Sequence, residues 1–360
     1  MRLIGIDSLL AKSGRSLGIS FGALALLACV APRDAIAAAV CTPTGFVRDG
    51  INLTAALINP GDVTGDVDAT GCNIGIYYFQ NGRVRNANVH GANYFGIVNN
   101  GANVEVANST ISDIGEKPFN GTQHGVAIYF VFGSAAKGNI HDNYVWNYQK
   151  GGIVVNGPNA SADIRQNTVI GLGPVNFIAQ NGIQAGYGAN TQIQQNTVSG
   201  NSYTGAGKTS SGGIILVGGD CYGGPATTNT RVQNNTGLGN DVGIWFSNLD
   251  ASCNPVSSQT KNTAQNNALV NNAVNNTTGN GTGPYQAGIA DQGSQDVIQG
   301  NYICGSGYPG TNTGGLFAID VTATNNPTVK DNTICGSAPA AMALMLTAQQ
   351  QGAAKAAPIQ

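Results

Sequence analysis

The chain has 360 residues, of which 41% are apolar, 52 are glycine and only 9% are charged. That length supports one large core, and the shortage of Lys, Glu and Leu excludes helical repeats, leaving strands as the building element. The formal charge of −2 supplies no long-range field, so DNA, RNA and anionic membranes are excluded as unaided partners, because gripping them requires clustered Lys and Arg.

Residues 1–39 read as a secretory signal. Lys12 and Arg15 precede an apolar run, Leu17–Val30, and small residues end the segment at Ala35-Ile36-Ala37-Ala38-Ala39. The expected destination is secreted or periplasmic. A lipoprotein box at Leu26-Leu27-Ala28-Cys29 is disfavoured because Leu27 fits that pattern poorly. Removing the signal discards Cys29 and leaves Cys41, Cys72, Cys221, Cys253, Cys304 and Cys335, an even set suited to an oxidising compartment.

Residues 40–80 lack any repeat and are expected to form an N-terminal cap with the first coil, Ile51–Asn59 reading as a short helix. Asp62, Asp66 and Asp68 are spaced like the opening of a calcium loop, but the required Gly and closing Glu do not follow, so they read as a solvated turn. No metal or other cofactor is expected.

From 81 to 338 two phrases alternate. One is apolar, two spacers, Asn, one spacer, apolar: Ile140–Val145, Ile164–Val169, Ile193–Val198, Ile298–Ile303 and Val329–Ile334, with weaker copies at Val232 and Ala264. The other is Gly-Ile, at Gly96, Gly152, Gly182, Gly213, Gly243 and Gly288. Two strand signals per repeat, with copies roughly 22–39 residues apart, describe a solenoid with unequal loops. The expected fold is all-β, a parallel β-helix, right-handed because parallel crossovers take that hand. Apolar residues should point inward, leaving Arg165, Gln194, Gln233, Gln265, Gln299 and Lys330 in solvent. Asn143, Asn167, Asn196, Asn235, Asn267, Asn301 and Asn332 share one station, where left-handed backbone and an amide ladder are expected.

Cysteine spacing suggests the disulfides. Cys304 and Cys335 follow equivalent phrases on successive coils, and a strand spacing of about 4.8 Å lies within the Cα separations a disulfide tolerates. Cys221 and Cys253 follow two successive Gly-Ile strands, and Cys41 with Cys72 would staple the first coil. Zinc is the alternative, but no CxxC or His companion appears. Residues 339–360 read as a C-terminal cap, with Met342, Leu344, Met345 and Leu346 over the last coil, followed by a loose tail.

Across roughly residues 80–338 the Gly-Ile and Asn phrases resemble secreted right-handed parallel β-helix repeat proteins of the pectate-lyase-like superfamily. The stretches 123–128 (QHGVAI), 148–153 (YQKGGI) and 179–184 (AQNGIQ) also look like a subset of exported bacterial β-helix proteins. The resemblance implies a polysaccharide or oligosaccharide partner and lyase, epimerase or hydrolase chemistry, although a fold does not transfer a function.

Residues two before each Gly-Ile glycine form a polar column of Lys150, Gln180, Ser211, Asp241 and Gln286, with Gln123 and His124 on the preceding coil. Proton abstraction beside a uronic carboxylate needs a base and groups that stabilise the enolate-like state. His124, Tyr148 and Lys150 are the candidate catalytic residues. Gln123, Trp146, Gln180, Asn181 and Asp241 are the candidate substrate-binding residues, with Trp146 and Tyr148 expected in solvent. Hydrolysis needs paired carboxyl groups, and only Asp113 with Glu116 or Asp241 with Asp291 offer themselves. Neither sits in the Asp-rich pattern of polygalacturonases, and the DPHD phrase of mannuronan epimerases is missing. The leading expectation is a monomeric exported β-helix, without a membrane span, that binds a polysaccharide and acts on it as a lyase or C5-epimerase. Its rival is a non-catalytic carbohydrate-binding or adhesive solenoid. An ice-binding solenoid ranks last, because its outward threonine stations here hold Gln, Arg and Lys.

Overall fold

The computed structural model describes residues 40–335, apart from 280, 282, 311–313 and 323–324, together with 345–347, 355–356 and 359. The export signal read at 1–39 lies outside the described residues, as do Met342 and Leu344. Each Gly-Ile phrase forms one strand of a first sheet. Its rungs include Ile74–Tyr78, Phe95–Asn99, Val126–Phe130, Gly151–Asn156, Asn181–Gly186, Gly212–Gly218, Val242–Asn248, Gln286–Asp291 and Leu316–Thr322, parallel and in chain order. Each Asn phrase forms two short strands joined at a bend, such as Ser161–Arg165 with Thr168–Val175 and Asn190–Gln194 with Thr197–Tyr203. These stack in parallel into a second sheet. The chain is a right-handed parallel β-helix, the hand that parallel crossovers take.

Three inward rows carry much of the core. Ile76, Ile97, Ile128, Ile153, Ile183, Ile214, Ile244, Ile289 and Ile319 stand in unbroken register along the first sheet. Val106, Ile140, Ile164, Ile193, Val232, Ala264 and Ile298 form the second row. Ile111, Val145, Val169, Val198, Gly237, Leu269 and Ile303 form the third. Like side chains stack because adjacent strands are about 4.8 Å apart, and burying each Val or Ile contributes roughly 1.5–3 kcal/mol.

The glycine of the Gly-Ile phrase has a steric cause. A Cβ at Gly182 would lie 2.6 Å from the Gly213 carbonyl oxygen and 2.3 Å from Val198 Cγ1, and one at Gly152 would lie 2.5 Å from the Gly182 oxygen and 2.4 Å from Val169 Cγ1. The first sheet thus presses its backbone against both the next coil and the third inward row.

The asparagines form the expected ladder. Asn167 Nδ2 donates to Asn196 Oδ1 (2.9 Å) and to the Ile140 carbonyl (2.9 Å), while its backbone N–H donates to the same Asn196 oxygen (3.0 Å). The pattern runs from Asn143 through Asn196, Asn235, Asn267 and Asn301 to Asn332. The left-handed residue lies one position earlier than expected, at Asp142, Gln166, Gln195, Asn234, Asn266 and Asp331, with φ between 54° and 58°. That turn tips the following asparagine inward, where its amide satisfies buried backbone.

All three disulfides pair as expected: Cys41–Cys72, Cys221–Cys253 and Cys304–Cys335, with Cα separations of 5.3, 5.0 and 4.8 Å. No helix among the described residues is long and apolar enough to cross a membrane.

The expected helix at Ile51–Asn59 is a strand. Ile51–Ile58 pairs in parallel with Ile74–Tyr78, and Thr42–Arg48 turns back on it antiparallel. Pairing with an open sheet edge outweighs local propensity, and alternate residues Leu53 and Ala55 are buried. Asp62–Asp68 is a strand too, not a turn. It pairs with Gly82–His90, and Asp66 accepts from Asn88 Nδ2 (2.7 Å) and lies 3.3 Å from His90 Nε2. Met345–Thr347, in the segment read as lying over the last coil, pairs with Leu316–Thr322. The tail read as loose beyond it is seated at its described points: Lys355–Ala356 pairs with Thr209–Ser210, and Ile359 is buried.

Candidate functional site

The polar column exists, but it faces protein. Lys150, Gln180, Ser211, Asp241 and Gln286 are all fully buried. Ser211 Oγ accepts from the N–H of its column neighbour Gln180 (3.0 Å), and the other side chains tie loops to the first sheet. Lys150 Nζ donates to the Ala179 carbonyl (2.7 Å). Gln180 Nε2 donates to the Tyr148 carbonyl (2.6 Å), and its Oε1 accepts from the Leu172 N–H (2.9 Å). Asp241 accepts from Ser202 Oγ (2.7 Å) and from the N–H groups of Tyr203 (2.9 Å) and Ser211 (3.0 Å). Gln286 Oε1 accepts from the N–H of Asn275 (2.7 Å). Burial lowers the Lys150 ammonium to about 7. It raises the Asp241 carboxyl to about 7 against the opposing pull of its hydrogen bonds, Ser202 first. Asn181 is equally buried and donates to Gln184 Oε1 (3.4 Å).

Tyr148 is not in solvent as expected. Its ring lies in the core and its hydroxyl donates to Asn201 Oδ1 (2.6 Å), while burial pushes the phenol well above its ordinary range. It anchors a second, shorter amide ladder in which Asn201 Nδ2 donates to Asn240 Oδ1 (3.0 Å). Strand alternation would put Tyr148 on the exposed side with Trp146, two residues earlier, but left-handed Asn147 (φ 49°) breaks the alternation, and Tyr148 turns inward at the corner, where it bridges Ile114.

His124 has different neighbours from those expected. Extending the register of Gly151 with Val126 sets Lys150 beside Gly125, and the Lys150 N–H donates to the Gly125 carbonyl (2.9 Å). His124 instead stacks on Tyr94, with ring centroids 3.7 Å apart, and its Nε2 meets Glu116 Oε1 at 2.7 Å. Its Nδ1 lies 3.9 Å from Asp49 Oδ2. Thr122 Oγ1 lies 3.3 Å from the Nε2 atom. Tyr94 is held above its ordinary range by burial first and then by the Asp49 and Glu116 charges. Glu116, which the sequence offered only as half of a carboxyl pair with Asp113, is thus the partner of a histidine. Gln123 is exposed, its amide donating to the Gly121 carbonyl (3.1 Å).

Exposed rings and polar rows meet on the outward face of the second sheet. Tyr144 and Trp146 project from one short strand and are 45% and 39% exposed. Beside them His141, Arg165, Gln194, Gln233, Gln265 and Gln299 stand in register. Gln233 Nε2 donates to Gln194 Oε1 (3.0 Å), and His141 Nε2 meets Glu105 Oε1 (3.1 Å). A shallow depression lined by Ser161, Asp163, Asn190 and Gln192 adjoins this face. Outward threonines do occur, contrary to expectation: Thr168, Thr197 and Thr236 are in register, bounded by Tyr144 and Ala268. The Asn-Thr-Val wording carried that signal.

The acid pair Asp241 and Asp291 is not brought together, because Asp241 precedes the strand whose Phe246 pairs with Asp291. Asp291 instead meets Asp296, five residues on. Burial, then Asp296, then Asp320 hold its carboxyl well above the ordinary range. Both groups are buried, and Asp296 also accepts from Thr260 Oγ1 (2.7 Å). No phrase in the sequence announced this pair, since Asp291 occupies an apolar station of the core.

No protein-family model matches the chain, and no curated protein matches it by sequence. The fold and the disulfides by themselves define a disulfide-bonded parallel β-helix.

Proposed function

We propose that this chain is an exported, secreted or periplasmic, β-helix protein of the pectate-lyase-like type that binds an extended polysaccharide as a monomer. The observation that carries the reading is the outward face of the second sheet, where exposed Trp146 and Tyr144 adjoin the row from His141 through Arg165 to the glutamines. Aromatic rings offer an apolar face to sugar C–H groups and a polar tip to hydroxyls. The glutamine amides supply both donors and acceptors, and the straight row matches an extended chain.

Binding takes precedence over catalysis because Lys150 and Tyr148 are buried and bonded to protein. Proton abstraction of the lyase or epimerase type is the second reading, favoured by the 2.7 Å contact between His124 and Glu116 beside the stacked Tyr94. In it His124 removes the proton beside the carboxylate while Glu116 orients the imidazole.

Purified protein titrated against uronic-acid and neutral oligosaccharides tests both. Binding to at least one glycan is expected, weakened about tenfold or more by Trp146→Ala, as for an aromatic hot spot. Unsaturated or epimerised product that disappears in His124→Ala would establish the second reading. Absence of binding to every glycan would remove both.

A further inference from the structure

We propose that the outward face of the first sheet holds a peptide-binding subsite whose ligand is the chain's own carboxy-terminal segment. The inference does not rest on the glycan reading. The row Val98, Tyr129, Val154, Gln184, Ile215, Trp245 and Ala290 runs in register along this face and is apolar or aromatic except at Gln184. Gln184 is fully buried, as is Asn156 on the preceding coil. Buried amides cost free energy unless their donors and acceptors are used.

Here both amides serve one residue of the tail. The Ile359 N–H donates to Gln184 Oε1 (3.1 Å), and the Ile359 carbonyl accepts from Gln184 Nε2 (2.8 Å) and Asn156 Nδ2 (2.6 Å). Gln184 Nε2 also donates to Asn156 Oδ1 (3.0 Å), which fixes the two amides relative to each other. In an extended peptide the N–H and C=O of a single residue point to the same side, and a neighbouring strand residue engages both. The Gln184 amide reproduces that pairing from a side chain, a form of backbone recognition that adds a strand-like ligand to a sheet.

One glycine makes room for the ligand and another for the amide that holds it. A Cβ at Gly151 would stand 2.4 Å from Ile359 Cδ1, and one at Gly186 would stand 2.5 Å from Asn156 Oδ1. The Ile359 side chain enters the cluster formed by Phe95, Val126, Tyr129 and Val154. The subsite thus reads backbone through amides and an apolar side chain through a glycine-floored pocket. Pairing of Lys355–Ala356 with Thr209–Ser210 gives the same segment a second point of attachment.

The test follows backbone amide exchange in the carboxy-terminal peptide of the full chain by mass spectrometry. Exchange about 100-fold slower than in Ile359→Asp is expected, as three hydrogen bonds and a buried side chain imply. Gln184→Ala should lose about tenfold of that protection. Ile359→Asp lies on the tail, so the solenoid should still unfold in one cooperative transition, its melting temperature lowered by no more than the lost docking accounts for. That variant, its own segment released, should bind a synthetic peptide of residues 351–360 and reject the same peptide carrying the Asp. A protected segment in a dimer would identify a second copy as the source and still support the subsite. Equal exchange in the parent and Ile359→Asp, or failure of the peptide to bind, would overturn it.

Discussion

The two sheets are traversed by the same coils, yet they treat their outer faces differently. In the first sheet, strands such as Gly151–Asn156 and Val242–Asn248 are buried along their whole length, on both faces. In the second, Ser161–Arg165 and Asn190–Gln194 alternate buried with part-exposed residues, and Tyr144–Trp146 exposes two rings around buried Val145. Strands covered on both sides are free to be continuously apolar, whereas a half-solvated strand must alternate. The difference separates the roles proposed here. The first sheet's outer face seats protein, including Ile359, and the second sheet's outer face is open to a ligand.

Four changes would break or sharpen that contrast. The largest effect is expected from Gly182→Val, which forces a side chain against the Gly213 carbonyl and Val198. A loss of about 3 kcal/mol or more in denaturant titrations is expected from overpacking at backbone, while a normal transition would mean that the first sheet is less tightly pressed than its contacts indicate. Next, Asn196→Leu breaks the ladder in its middle, leaving the buried donors of Asn167 and the Ile164 carbonyl without partners. Its cost should be about 2–3 kcal/mol and should exceed that of Asn332→Leu at the ladder's part-exposed end. Equal costs would show that the ladder is not read coil by coil.

The third change concerns pH. Asp241, Asp291 and Asp296 bind protons more tightly in the folded chain than in the unfolded one, chiefly through burial. The stability they contribute is complete below the ordinary carboxylate value of 3.8 and is lost as pH rises above it through each raised value, about 7 for Asp241. Lys150 has the opposite sign. Its contribution is complete above 10.5 and is lost as pH falls through about 7. The melting temperature should therefore fall from pH 4 to 7 and recover toward pH 10. Asp291→Asn lets an amide donate to Asp296 without titrating, so it should raise the melting temperature at pH 8 relative to the parent and flatten the acid limb. An unchanged limb would show that the acid pair does not share a proton. The smallest effect on stability belongs to the second sheet: Trp146→Ala should stay within about 0.5 kcal/mol while reducing glycan affinity. A large stability loss would make Trp146 a structural ring.

Much of the fold was legible because stacking makes each inward station repeat. The Gly-Ile and Asn phrases located both sheets, the ladder and two of the three disulfides. The segment Ile51–Ile58 was misread because it has no copy elsewhere in the chain, and only the edge of Ile74–Tyr78 makes it a strand. The site was much less legible. Lys150 and Gln180 were correctly placed in one column, but whether a column faces water or a neighbouring loop depends on insertions of unequal length at the corners. His124 with Glu116, and Asp291 with Asp296, are each close in sequence but carry no repeated wording, so periodicity passed over them.

By itself the sequence determined the repeating architecture, because a period in apolar residues becomes a period in space once strands stack at a fixed distance. It also placed Cys304 over Cys335, at equivalent stations one coil apart, and Cys221 and Cys253 in the loops after successive strands. Only the tertiary structure decided which outer face is covered, where the turn before each asparagine tips its amide, and that Tyr148 belongs to the core. Those outcomes depend on contacts between corners, loops and the returning carboxy-terminal segment, whose partners lie far away along the chain and leave no local pattern.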